Sequence, residues 1–150
     1  MKLRTLLMTL ALAGIAHAEQ KFPRGTFESK DLDKAKAEAV ASKKPLAFVM
    51  TDKDTTCPLC QNATSEFLDV VKSKTVVVYV STAGSTSDWN GVWNALPEAA
   101  KKGLKAGEKF PKVAVTDAAA ANLITSIDYD THITNDKALR EFKKALKPAK

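Results

Sequence analysis

The two cysteines of the 150-residue chain stand three apart, as Cys57-Pro58-Leu59-Cys60. A thiolate with a second sulfur close behind it is what thiol–disulfide exchange requires. A structural staple would be a poor use of this spacing. Closing so short a loop restrains the unfolded chain little, because the entropic benefit grows with loop length. Zinc would need four ligands, and the pair supplies two. His132 is the one histidine beyond residue 18, and no paired ligand motif accompanies it, so it reads as a surface or loop residue. The pair therefore points to redox chemistry, with an inert disulfide or two buried thiols as the plain alternative. Neither a metal nor a bound cofactor is expected.

The elements around the pair follow from hydrophobic period. A first helix is expected over about 31–43, with Leu32, Ala35, Ala39 and Val40 as its apolar stripe and Ser29 or Asp31 as its cap. Pro45 blocks continuation, and Leu46–Met50 reads as a buried strand. A polar turn, Asp52–Thr56, leads into the cysteine motif, which opens a second helix buried through Ala63, Phe67, Val70 and Val71. Its Asn62-Ala63-Thr64 matches a glycosylation sequon, discounted because it lies within that helix. Thr75–Val80 is an unbroken β-rich run, suited to a central parallel strand covered on both faces.

Trp89, Val92, Trp93 and Leu96 share a helical face over 88–96, which Gly91 weakens and Pro97 ends; the two Trp read as core or lid residues. A further helical turn is expected over 99–104, and Gly107 supplies a turn. Lys112–Thr116 and Leu123–Tyr129 form an antiparallel pair, with Leu123, Thr125, Ile127 and Tyr129 on one face. A last helix, about 135–147, buries Ala138, Leu139, Phe142, Ala145 and Leu146. The result is an α/β domain: a small mixed sheet flanked by helices.

This order gives the cysteines unequal roles. With Cys57 at the N-cap, Pro58 takes the first helical position, where its missing N–H costs nothing. Free N–H groups and the positive end of the helix dipole favour the Cys57 anion. Cys57 is thus the expected nucleophile and Cys60, one turn deeper, the resolving thiol. Asp52, Lys53 and Asp54 could tune that thiol, though charged turns are usually solvated.

The first 18 residues read as a signal peptide. Lys2 and Arg4 precede an apolar run from Leu6 to Ala16, and Ala16-His17-Ala18 offers small residues for cleavage before Glu19. The run is shorter than the ~20 residues of a membrane span. The expected organisation is 1–18 signal and 19–150 a single domain, exported to the periplasm or secreted, with no stable membrane anchor after cleavage. Two of the 23 basic residues leave with the signal, so the formal charge falls from +6 to +4. That charge is scattered among acidic residues, which argues against nucleic acid as a partner.

Three features carry a resemblance to the thioredoxin-like superfamily: the Cys57–Cys60 motif at a strand-to-helix junction, Phe110-Pro111 directly before the strand Lys112–Thr116, and the α–β–α–β…β–β–α order over roughly 31–147. The resemblance implies an exported thiol–disulfide oxidoreductase acting on thiols or disulfides of other exported proteins and served by a separate redox partner. It implies a cis Phe110–Pro111 bond facing the cysteines, and a substrate side made of Pro58, Leu59, Phe110 and Pro111. The chain departs from thioredoxin itself in four places, one of them a longer linker containing Trp89 and Trp93. Thr56 stands where a Trp usually precedes the first cysteine. Neither Met50 nor Thr51 is the acidic residue expected on the strand before the motif. Pro-Leu between the cysteines is closer to glutaredoxins and some periplasmic disulfide enzymes. The missing acid and the long aromatic linker favour the competing class, a binding or scaffold domain without turnover.

Overall fold

The computed structural model describes residues 20–147; the expected signal over 1–18 and its cleavage site before Glu19 lie outside the described residues. The chain runs β1 (Phe27–Glu28), a 3-10 turn (Ser29–Asp31), α1 (Leu32–Ser42), β2 (Leu46–Thr51), α2 (Pro58–Val71), β3 (Val76–Ser81), α3 (Thr86–Ala95), α4 (Glu98–Leu104), β4 (Lys112–Thr116), β5 (Leu123–Asp128), α5 (Tyr129–Thr134) and α6 (Ala138–Ala145). The five strands form one mixed sheet in the order β1-β3-β2-β4-β5. β3 runs parallel to β1 and β2, whereas β4 is antiparallel to both β2 and β5.

Alternation along the strands builds a core on each side. Leu46, Phe48 and Met50 of β2 join Val76, Val78 and Val80 of β3 under α1, α3 and α4. Ala47, Val49, Val77, Val113 and Val115 face the other way, under α2 and α6, with Phe67, Val71 and Phe142. Covered on both faces, β2 and β3 are apolar almost throughout, as parallel strands of this kind must be. Trp89 and Trp93 pack half-buried against the first core, ring centroids 5.7 Å apart.

Several expectations are corrected. Val40 is 62% exposed: one residue past Ala39, it turns about 100° off the stripe. Asp31 precedes α1 without capping it, its carboxylate accepting instead from Lys34 Nζ at 2.7 Å. α3 starts two residues early because Ser85 and Asp88 form a reciprocal capping box. Residues 123–129 do not share one face. A bulge opposite Val115–Thr116 shifts the register, so Leu123 packs on the first core and Ile127 on the second. One inserted residue is enough to exchange faces. Tyr129 belongs to α5, started by Asp128, whose side chain accepts from the Thr131 N–H. The last helix therefore begins at Ala138, and Ala145 lies on its exposed side.

Candidate active site

Strand β2 ends at Thr51, and the turn after it delivers Cys57 to the start of α2. Asp54 N–H donates to the Asp52 carboxylate at 2.9 Å, and Cys57 N–H donates to Thr55 Oγ1 at 3.3 Å. Gln61 Nε2 reaches back to the Thr55 carbonyl at 2.7 Å, tying the turn to the first turn of α2. Cys57 is the N-cap in extended conformation (φ −78°, ψ 108°), with Pro58 directly after it. Its Sγ accepts the Cys60 N–H at 3.3 Å, the place a Ser or Asp oxygen takes in an ordinary cap. Cys57 and Cys60 form a disulfide with Cα atoms 5.3 Å apart. Both are half-buried, while Pro58 is exposed and Leu59 is 64% exposed, a large apolar side chain presented beside the sulfurs.

The pair opens onto a cavity of about 470 Å³. Thr51, Asp52, Thr55 and the cysteines line one side. Glu108, Lys109, Phe110 and Tyr129 line the other, with Thr82 beyond the end of β3. The Phe110–Pro111 bond is cis. Phe110 faces the cavity; Pro111 is buried and accepts the Tyr129 N–H on its carbonyl at 2.9 Å. The structure thus brings Cys57, Cys60 and Phe110 to one cavity and leaves Pro58, Leu59 and Pro111 outside its lining.

Where the resemblance implies an acidic residue, Thr51 is 1% exposed with its hydroxyl 3.5 Å from that of Thr64, which itself donates to the Cys60 carbonyl at 2.8 Å. Neutral hydroxyls occupy this position beneath the pair. His132 sits on α5, its Nε2 3.0 Å from Glu66 and its ring edge-on to Phe67. Among the described residues no cluster of three or more His, Cys, Asp and Glu could hold a metal ion, and no helix is long and apolar enough to cross a membrane.

Sequence reasoning missed the far wall. Lys112 was read only as the first residue of a strand, yet it is buried, and its Nζ donates to the Gly107 carbonyl at 2.7 Å. Burial pushes the Lys112 ammonium below its ordinary pKa, against the opposing pull of Asp128, Asp130 and Glu108. Asp130 accepts from the Glu108 and Lys109 N–H groups at 2.9 and 3.1 Å, and these bonds hold its carboxyl below the usual range. No local sequence signal marks this anchor, because the alternation of residues 123–129 hides the end of β5.

No family model matches the chain, and no curated protein does. Solved structures do. A DsbH oxidoreductase is 14% identical, with 93% of this chain and 95% of that chain covered, at a TM-score of 0.45. The disulphide isomerase from Xylella fastidiosa Temecula1 is 15% identical, with 82% of this chain and 93% of that chain covered, at a TM-score of 0.53. The second likeness matches the five-stranded mixed sheet and its flanking helices, and the chain has the thioredoxin-like fold.

Proposed function

We propose that this protein is a thiol–disulfide oxidoreductase, exported to the periplasm or secreted, that exchanges disulfides with other exported proteins through Cys57 and Cys60. The observation that carries the reading is the Cys57 sulfur at the N-cap of α2, accepting the Cys60 N–H and open to a cavity. A helix start stabilises negative charge there, which favours the attacking thiolate. In the reductive direction the Cys57 thiolate attacks one sulfur of a substrate disulfide, and the other substrate sulfur leaves as a thiolate that takes up a proton. Cys60, deprotonated, then attacks Cys57. The substrate's remaining sulfur leaves, and the Cys57–Cys60 disulfide keeps the two electrons' worth of oxidation. Run backwards, the same steps oxidise a substrate dithiol. The disulphide isomerase likeness supports this class of chemistry, and the apparent signal over 1–18 supports export.

Trapping tests it. Cys60→Ser, expressed as the full chain, accumulates mixed disulfides with exported proteins, because Cys57 attacks and nothing resolves the product. Cys57→Ser accumulates none. Trapping by Cys57→Ser alone would exchange the roles, and trapping by neither would leave the thioredoxin-like binding domain as the better reading. That second reading draws on Thr51 and Thr64, which offer no ionisable group to take the Cys60 proton.

A further inference from the structure

Apart from Tyr129 at the start of α5, the side of the cavity opposite α2 is made by a loop without regular structure. Residues 105–110 form a loop of exposed residues that ends on half-buried Phe110, yet it carries Glu108, Lys109 and Phe110 to the cavity. Two side chains from outside the cavity's lining hold this loop, one through the Gly107 carbonyl and one through the next two N–H groups. Lys112, buried at the start of β4, donates to the Gly107 carbonyl and lies over the Phe110 ring, 5.1 Å from its centroid. Asp130, on α5, receives both the Glu108 and Lys109 N–H groups on a single oxygen, Oδ2, while Lys109 Nζ lies 3.7 Å from Oδ1.

The frame behind them is equally specified. Gly107 adopts φ +68°, and a Cβ there would run into the Asp128 carboxylate. That carboxylate is pinned by Thr131 through its N–H at 2.9 Å and its hydroxyl at 2.7 Å. A loop that merely joined α4 to β4 would need none of this. Solvent could satisfy the amides of a surface loop, and a buried ammonium costs free energy unless paired.

We propose that Asp130 and Lys112 are positioning residues that fix the Glu108–Phe110 segment as a rigid docking wall for polypeptide substrates of the Cys57–Cys60 pair. The proposal rests on the oxidoreductase reading and concerns polypeptide substrates specifically. A small disulfide needs only the sulfurs, whereas a protein chain entering the cavity must also lie against Phe110 and its neighbours. A preset wall spares the substrate the cost of ordering the loop on binding.

The test compares two substrates of the purified mature chain, a polypeptide disulfide (insulin) and hydroxyethyl disulfide, with dithiothreitol as reductant. Asp130→Ala is expected to raise KM for insulin about tenfold with kcat within twofold, and to leave exchange with hydroxyethyl disulfide within twofold. Asp130→Asn keeps an oxygen for both N–H groups and should restore insulin KM to within about threefold of wild type. Lys112→Met, matched in length and apolar where the lysine is buried, should raise insulin KM in the same direction. Unchanged insulin KM in Asp130→Ala, or equal losses with both substrates, would overturn the positioning role. A wild-type chain inert toward both substrates would sink the oxidoreductase reading itself, and the wall's role with it.

Discussion

The cysteine cavity has two walls of different construction. The α2 side is made by one helix start, and the bonds that shape it close within seven residues: Cys57 N–H to Thr55, Cys60 N–H to Cys57 and the Gln61 side chain to Thr55. The opposite side is a loop held by residues brought from β4 and α5, with bonds spanning 21 and 22 residues of chain. Local hydrogen bonds close at little entropic cost, whereas distant ones depend on the rest of the fold being in place. The first wall should therefore form with its helix, and the second only when β4, β5 and α5 are docked. In the function proposed above, chemistry falls to the wall that needs least help, and recognition to the one that needs most.

The largest expected asymmetry comes from Gly107→Ala. The left-handed conformation alone costs an L-residue about 1–2 kcal/mol, and the new methyl also meets the Asp128 carboxylate. Urea unfolding should show a loss of at least that size. A loss below about 0.5 kcal/mol would mean the loop readjusts freely, and the contrast between the walls would fail.

Pro58→Ala makes the matching change on the α2 wall and should cost less. Alanine adopts the same helical backbone, and the N–H it restores at the first helical position is one that no helix partner was due to satisfy. What remains is the greater freedom of the unfolded chain, worth about 0.4–1 kcal/mol. A larger loss by the same urea measurement would show that Pro58 does more than start the helix.

The two walls were also unequally legible in the sequence. The helix wall could be read because its signals are local: a Pro after Cys57, an apolar period through Ala63, Phe67 and Val71, and a polar turn before it. Both cores followed from the same periodicities, and the cis Phe110–Pro111 bond was expected from the family likeness. The loop wall could not be read this way. Nothing in Gly107-Glu108-Lys109 states that Asp130 will receive its amides, because that pairing exists only once β5 has ended and α5 has turned back. The end of β5 was itself hidden. The bulge beside Thr116 breaks the alternation on which the reading of residues 123–129 relied, and Asp128 acts as a helix cap inside what read as a strand. Lys112 carries no signal of its burial for a related reason: alternation gives the side of a sheet on which a residue lies, and not whether a neighbouring loop will cover it.

The smallest expected effect is a difference in how the walls respond to acid. Asp130 has its carboxyl held below the ordinary 3.8, first by the Glu108 N–H and then by the Lys109 N–H, with the charges of Lys109 and Lys112 adding to the shift and desolvation opposing it. Linkage fixes the sign. A group with a depressed folded pKa contributes its full stabilisation above the unfolded value and loses it as pH falls through the folded one. The Asp130 anchor is therefore complete above about pH 4 and weakens below it, while the bonds among Thr55, Cys57, Cys60 and Gln61 involve a disulfide sulfur, a hydroxyl and a carbonyl oxygen, none of which titrates there. Amide hydrogen exchange can follow both walls in one sample. Protection at Glu108 and Lys109 should fall relative to Gln61, whose N–H donates to the Cys57 carbonyl at 3.0 Å, as pH drops from about 5 toward 2. A constant ratio across that range would show that the loop keeps its place without the Asp130 charge, leaving Lys112 as its principal anchor.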